Sequence, residues 1–215
     1  MGAMAAPRTE TFRTLASPSR VELLHLLQER DRRTLAELVE ATGLHPNTVR
    51  EHLQRLTRGG YVTSIVETRT TRGRPRTLYS AATGADVETN DDVARKVASA
   101  TERGDLLRRY LESTVPTPTA RLPEGALRQI DALDDHLDQS GFNACIDEAA
   151  LRVDITDCPY QDMVAESHGM VCVVHLGLVR TVLSQAGGPV TARALLPFSG
   201  PGCCTLSLEC GRRES

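Results

Sequence analysis

The chain of 215 residues has no tryptophan, and only 3% of its residues are aromatic, so its cores must be built from aliphatic side chains. Lysine is nearly absent too, since Lys96 is the single lysine among 25 cationic residues. No apolar run approaches the ~18–20 residues that a membrane span needs, and no signal peptide opens the chain. With 40% apolar and 25% charged residues, the sequence predicts a globular, cytoplasmic protein with no membrane partner.

Cysteine is missing from the N-terminal part of the chain and is concentrated in the last 71 residues. The six cysteines are Cys145, Cys158, Cys172, Cys203, Cys204 and Cys210. In a reducing cytosol, clustered cysteines are more often metal or redox sites than structural disulfides. The C-terminal part is therefore expected to hold a group that thiolates bind.

The charge, like the cysteine content, differs between the N-terminal and C-terminal parts of the chain. Residues 1–82 carry 13 arginines against 8 acidic residues, a net charge of +5, which leaves −8 for the rest of the chain. A basic N-terminal part on an acidic remainder fits a protein that presents one face to a polyanion.

A helix-turn-helix pattern occupies the N-terminal part. Apolar residues at helical spacing predict helices over Thr9–Leu15, Ser19–Glu29, Leu35–Thr42 and Asn47–Arg58. Ser17 and Pro18 mark the start of the second helix, and Thr34 with Glu37 forms a capping box at the third. Gly43 ends the third helix, and a turn of about four residues leads into the fourth.

The fourth helix has the composition of a recognition helix. Leu53 and its apolar neighbours are expected to be buried, while the exposed positions carry types that reach base edges and phosphates. The predicted DNA-contacting residues are His45, Asn47, Thr48, Arg50, Gln54 and Arg55. Glu51 is also predicted to be exposed on this helix.

A strongly basic hairpin follows the helices. Tyr61 to Thr68 and Thr77 to Ala81 alternate as paired strands. Four arginines lie between them, namely Arg69, Arg72, Arg74 and Arg76. Such a tip is expected to contact phosphates or the minor groove as a wing.

Residues 8–82 resemble the winged-helix regulators of the ArsR/MarR kind. The phrases Pro18-Ser-Arg20-Val-x-Leu-Leu and Asn47-Thr48-Val49-Arg50-x-His52-Leu53 are typical of that group. Winged helices usually bind two-fold operators in double-stranded DNA as dimers. The resemblance therefore implies a homodimer that binds DNA.

A long helix is predicted from Asp91 to about Ser113. Its narrow apolar seam is formed by Val93, Val97, Ala100, Leu107 and Leu111. Such a seam is typical of a dimer helix, although a helix packed on its own domain gives the same pattern. A stiff linker at Val115–Thr119 ends this segment. The predicted domains are a winged helix over 1–82, a connecting and dimerisation helix over 83–119, and a cysteine-bearing sensor domain over 120–215.

The C-terminal part is predicted to be α+β. Helices are expected over Pro123–Asp138 and Val171–Ala186, and a further helix is expected to open at Asp157-Cys158-Pro159-Tyr160. Strands are expected over Phe142–Asp147, Leu151–Thr156, Val190–Leu196 and Cys203–Glu209. Cys158, before a proline at the first helical position, and Cys172, near a helix start, would then lie where thiolates are favoured.

The cysteine spacing favours a cluster over a zinc knuckle. Cys145-x12-Cys158-x13-Cys172 lacks the paired C-x2–4-C of zinc sites, and wide spacings suit a cluster bound where element ends converge. This pattern, with Asp157-Cys158-Pro159-Tyr160, resembles the SufR-type iron–sulfur repressors, whose motif is C-x12-C-x13-C-x14-C. The fourth position departs from the motif, because it falls on Gly187.

The resemblance implies a transcriptional repressor controlled by a redox- or iron-sensitive cluster, with [4Fe–4S] favoured over [2Fe–2S]. Its expected ligands are Cys145, Cys158 and Cys172, with Cys203 or Cys204 as the fourth and His175 as a weaker candidate. Cys210 is expected to pack as a small apolar residue. The alternatives are a zinc site, a thiol–disulfide switch, and an enzyme using Cys172 and His175, for which no orienting partner is apparent. The protein is therefore expected not to be an enzyme.

Overall fold

A computed structural model of the chain describes residues 10–67, 75–82, 91–112, 122–166, 169–200 and 203–211. The chain forms two compact units. The first contains Met1–Asn90 and Tyr160–Val174, and the second contains Asp91–Pro159 and His175–Ser215. Each unit is thus assembled from two separate stretches, whereas the predicted division into 1–82, 83–119 and 120–215 follows the chain order. The predicted linker at Val115–Thr119 lies outside the described residues.

The elements alternate between helices and short strands. The helices are α1 Glu10–Leu15, α2 Pro18–Glu29, α3 Leu35–Thr42, α4 Pro46–Arg58, α5 Asp91–Glu112, α6 Glu124–Gln139, α7 Gln161–Glu166 and α8 Met170–Ala186. The strands are β1 Arg33–Thr34, β2 Val62–Val66, β3 Thr77–Ala81, β4 Asn143–Asp147, β5 Arg152–Asp157, β6 Val190–Gly200 and β7 Cys203–Cys210. In the part of the chain that the structure describes, no helix is long and apolar enough to cross a membrane.

The first unit contains α1, α2, α3, α4, α7 and the first turn of α8, together with a small antiparallel sheet. The strand order is β1-β3-β2. Thr34 caps α3 by accepting from the Glu37 N–H, and the Glu37 carboxylate accepts from the Thr34 N–H at 2.7 Å, so the predicted capping box is confirmed. Gly43 ends α3 in the left-handed region with φ +66°. Ser17 lies at the predicted N-cap of α2, but its side chain makes no capping hydrogen bond.

The second unit is a four-stranded antiparallel sheet with helices on one face. The order is β4-β5-β7-β6, and its covered face is lined by apolar residues that are almost fully buried, including Val153, Ile155 and Leu206. On α6, the predicted inward stripe is confirmed, because Leu127, Ile130, Leu133 and Leu137 are all buried. The predicted α+β architecture is thus confirmed as a mixture of helix and sheet.

Helix α5 belongs to the second unit, where it packs against α6. Val97 is buried in a cluster with Ala132 of α6 and Val182 of α8, so the first half of the predicted seam is used inside the chain. The second half of the seam is not buried inside the chain, because Leu107 and Leu111 are 59% and 45% exposed. Packing on its own unit thus accounts for part of the seam, and dimerisation through the remainder stays a prediction. The side chain of Val93 lies outside the described residues.

Gly104 allows α5 and α6 to approach closely. A Cβ at Gly104 would overlap the carboxylate of Asp131, which pairs with Arg108 at 2.7 Å. We expect Gly104→Ala to destabilise the chain by about 1–3 kcal/mol through overpacking, although alanine favours a helix by ~1 kcal/mol. Gly125→Ala is the matched control, because its Cβ would meet no atom closer than 3.6 Å. Urea unfolding measures both, and a Gly104→Ala protein as stable as the Gly125→Ala protein would contradict the prediction.

Candidate nucleic-acid interface and thiol sites

Helix α4 presents a continuous polar surface. Val49, Leu53 and Leu56 are buried, as predicted. Of the predicted contact residues, Thr48 is half-buried, and the exposed ones are His45, Asn47, Arg50, Gln54 and Arg55. The predicted residues of this helix thus lie on its accessible side.

Hydrogen bonds orient several of these side chains. The Nδ1 atom of His45 accepts from the Asn47 N–H at 3.2 Å, so His45 is the N-cap of α4. Arg50 donates to Asn47 Oδ1 at 2.6 Å. Arg55 donates to Glu51 Oε1 at 2.7 Å. These local bonds restrict the long side chains before any DNA is bound, which lowers the entropic cost of ordering them in a complex.

The β2–β3 hairpin supports the predicted wing. Its pairing extends beyond the strands, because the Glu67 N–H donates to Arg76 O at 2.7 Å. Arg76 is exposed at the described end of the hairpin. Arg69, Arg72 and Arg74 lie outside the described residues.

Two cysteines lie on the open face of the second unit's sheet. Cys145 on β4 lies opposite Asp154 of β5, and Asp154 lies opposite Thr205 of β7. Because side chains two residues apart share a face of a strand, Cys203 lies on the same face as Thr205 and Cys145. Cys145 is exposed and Cys203 is half-buried.

The other two cysteines of β7 lie on the helix-covered face. Cys204 lies opposite Ile155, which is 2% exposed. Cys210 is six residues further along β7 and shares the face of Cys204. Their position among buried apolar residues favours a packing role for both thiols.

The strand geometry opposes disulfides among these cysteines. Cys203 and Cys204 point to opposite faces, so their Cβ atoms diverge. Cys145 and Cys203 are two strands and two residues apart, which places their Cα atoms about 12 Å from each other. A disulfide needs Cα atoms within roughly 7 Å and Cβ atoms that face each other, so neither pair can form one without movement of the strands.

Cys158 does not lie at a helix N-terminus, so this prediction was wrong. Asp157 still pairs with Asn143 of β4, and Pro159 and Tyr160 are needed to turn the chain from strand to helix. Helix α7 therefore begins at Gln161. The helix-dipole argument does not apply to Cys158.

Cys172 is the third residue of α8, near a helix start as predicted. Its N–H donates to Gly169 O at 2.9 Å. The first turn of α8 belongs to the first unit, where Gln28 of α2 donates its side-chain amide to Val174 O at 3.3 Å. Cys172 is thus two residues from a direct contact with the helix-turn-helix.

Within the described ranges, no group of three or more His, Cys, Asp or Glu side chains is arranged to hold a metal ion. Cys145, Cys203, Cys204 and Cys210 form no disulfide among the described residues, and thiolates are the donors that iron–sulfur clusters and zinc sites use. The donor chemistry therefore fits the predicted cofactor, whereas the described residues do not place three such donors together.

A pair of histidines, which the sequence pattern did not bring together, lies inside the second unit. His136 of α6 and His175 of α8 have ring centroids 6.0 Å apart, and Phe142 stacks on His175 at 4.3 Å. The Nε2 atoms of both histidines are buried, with no hydrogen-bond partner in the described part of the chain. Burial, and then His136, lowers the pKa of His175 to about 3. Burial, and then Lys96, lowers the pKa of His136 to about 4. Both rings are neutral at pH 7, the form that ligates metals.

Acid is expected to destabilise the chain through this pair. An unfolded histidine has a pKa of ~6.5, so below that pH the unfolded chain binds more protons than the folded one. The free energy of unfolding should therefore fall from about pH 6.5 toward pH 4, by at most about 1.4 kcal/mol per pH unit for each ring. His136→Gln and His175→Gln should each reduce this slope in urea unfolding at several pH values. Equal slopes in all proteins would contradict the prediction.

Comparison with known proteins locates one recognised domain. Residues 15–65 match the model of a family described as a helix-turn-helix domain. The chain is also similar to the crystal structure of M. tuberculosis Rv0081, with 30% identity, coverage of 49% of this chain and 91% of that chain, and a TM-score of 0.29. No curated protein matches the chain. The matched residues run from the end of α1 through α4 to β2.

Proposed function

We propose that this winged-helix DNA-binding regulator is a transcriptional repressor whose operator affinity depends on an iron–sulfur cluster bound by its C-terminal cysteines. The helix-turn-helix family consists of DNA-binding regulators and not of enzymes. The observation that carries the DNA-binding function is the exposed polar face of α4 within that matched domain. We propose that the operator has two-fold symmetry and that the active form is a homodimer, because winged helices usually bind DNA in this way.

Two arguments support thiol ligation over a disulfide switch. The strand cysteines are poorly placed to pair with each other, and the Cys145, Cys158, Cys172 spacing resembles that of the SufR-type repressors. These three residues and Cys203 would hold a [4Fe–4S] cluster, with His175 as an alternative fourth ligand. A bound cluster supplies sensitivity to oxidants and to iron supply.

Cys172 offers a route from the sensor to the DNA. It lies on the first turn of α8, and Gln28 connects that turn to α2. Because α2 packs against α4 in the helix-turn-helix, a displacement of the Cys172 turn is expected to shift the recognition helix. A coupling free energy of a few kcal/mol is enough to change operator occupancy tenfold or more.

Anaerobic purification with iron, sulfide and zinc analysis tests the cofactor. The proposal predicts a brown protein with visible absorbance and with iron and acid-labile sulfide in similar amounts. A colourless protein that contains zinc would contradict it and assign the thiols to zinc. A colourless protein without metal would also contradict it and leave thiol oxidation as the signal.

The wing is expected to contribute affinity that does not depend on DNA sequence. Replacing Arg72 and Arg74 with alanine should weaken binding to all duplexes and reduce the salt dependence by up to about one phosphate contact per arginine. Fluorescence anisotropy at several salt concentrations measures this effect. A loss confined to the selected operator, with an unchanged salt slope, would show that these arginines contact bases.

A further inference from the structure

A carboxylate occupies the middle of the DNA-facing side of α4. The buried side of this helix is formed by Val49, Leu53 and Leu56. At about 100° per residue, the side directly opposite is formed by Asn47, Glu51, Gln54 and Arg58. Glu51 is the acidic member of this set, its side chain is 58% exposed, and it lies in the N-terminal half of the helix. In helix-turn-helix proteins, that half contacts base edges.

A negative charge at this position opposes binding to a polyanion. It is compatible with DNA binding where the carboxylate meets a hydrogen-bond donor on a base edge, since phosphates offer only acceptors. In the major groove, the amino groups of cytosine and adenine are the donors, and a glutamate accepts from cytosine N4, whereas asparagine and glutamine bind adenine in bidentate fashion. Asn47 and Gln54 flank Glu51 on the same side of the helix, and Gln54 is of the type that makes that second contact.

The Glu51 carboxylate is held in place by one of its oxygens. Its Oε1 accepts from Arg55 at 2.7 Å, one helical turn away. Its Oε2 has no partner among the residues that the structure describes, so it is available to a base. Exposed ion pairs of this spacing contribute little to stability, which leaves positioning of the carboxylate as the main effect of the Arg55 contact.

We propose that Glu51 is a specificity-determining residue that accepts a hydrogen bond from a cytosine N4 amino group in the major groove of the operator. The proposal rests on DNA binding by α4 and not on the cofactor. Asn47 and Arg55 are positioning residues in this arrangement, since Asn47 orients Arg50 and Arg55 orients Glu51.

The test begins with selection of DNA by the full-length protein from a randomised duplex library of about 30 base pairs, three helical turns. The wild-type protein should select a C·G pair at a fixed place in each half-site. For Glu51→Gln, discrimination against other pairs at that place should fall about tenfold. Its affinity for an unselected duplex of the same length should rise, because the repelling charge is gone.

Two further variants separate base recognition from charge. Glu51→Asp keeps the charge but shortens the side chain, so it should lose the C·G discrimination without gaining affinity for the unselected duplex. Glu40→Gln removes an exposed carboxylate from α3, and it should leave the selected sequence unchanged. Circular dichroism confirms that each variant is folded.

Two outcomes would overturn the proposal. If Glu51→Gln selects the same sequence as the wild-type protein with equal discrimination, Glu51 is only the surface partner of Arg55. If the wild-type protein enriches no sequence and binds no duplex, DNA binding by α4 itself is wrong, and the proposal fails with it.

Discussion

Gln129→Met is expected to lower the free energy of unfolding by about 3–5 kcal/mol, because three buried backbone groups lose their partner. Gln129 is 1% exposed. Its Nε2 donates to Leu183 O at 2.8 Å and to Val190 O at 2.9 Å, and its Oε1 accepts from the Val190 N–H at 2.6 Å. One amide thereby joins α6 to the end of α8 and the start of β6. Methionine has similar length but makes none of these bonds.

Gln139→Met on the same helix is the matched control. Gln139 donates to Asp135 at 2.6 Å near the surface, and substitutions at such places change stability by about 0.5 kcal/mol or less. Urea unfolding followed by circular dichroism compares the two variants. A loss below 1 kcal/mol for Gln129→Met, or equal losses in both proteins, would mean that the buried amide network does not support the fold as argued.

Serine at Cys145, Cys158 or Cys172 is expected to abolish the proposed cluster or destabilise it sharply. A hard hydroxyl replaces a soft thiolate poorly as an iron ligand. Visible absorbance and iron content after anaerobic purification measure the effect, and circular dichroism should report an intact helical fold in each variant. Unchanged cluster occupancy in the Cys158→Ser protein would contradict the iron–sulfur proposal.

The cysteines of β7 supply internal controls for that series. Cys203 shares the open face with Cys145, so Cys203→Ser should behave like the first three variants. Cys204 and Cys210 lie on the opposite face, so serine at either should leave the cluster in place. Retention of the cluster in the Cys203→Ser protein would show that another residue supplies the fourth ligand, and His175 would be the first residue to test.

The helix-turn-helix could be predicted from the sequence because its signals are local. The Thr34 and Glu37 capping box and the glycine at Gly43 act within one turn of the helix that they delimit, and both are confirmed. Strand β1 was missed because two residues are too few to show alternation. Leu35 and Val39 were predicted to face inward but are only half-buried, and Leu38 alone of α3 is fully buried.

The second unit was less predictable because its contacts join distant parts of the chain. The individual strands follow from alternation, but the order β4-β5-β7-β6 is set by pairing across more than 40 residues. The buried Gln129 carries no sequence signal, since its partners lie 54 and 61 residues away. The apolar residues of α5 recur at a clear helical spacing, but this spacing is the same whether the helix packs against α6 or against a second chain.

Control of the protein by an iron–sulfur cluster requires that its DNA affinity depend on the cofactor. The anaerobically purified protein and the same protein stripped by an iron chelator should be titrated, at one salt concentration, against a duplex selected from the randomised library. We expect the affinities of the two forms to differ at least about tenfold, and the addition of iron and sulfide to the stripped protein to restore the affinity of the first form. Equal affinity of the two forms would contradict control by an iron–sulfur cluster while leaving DNA binding by α4 in place.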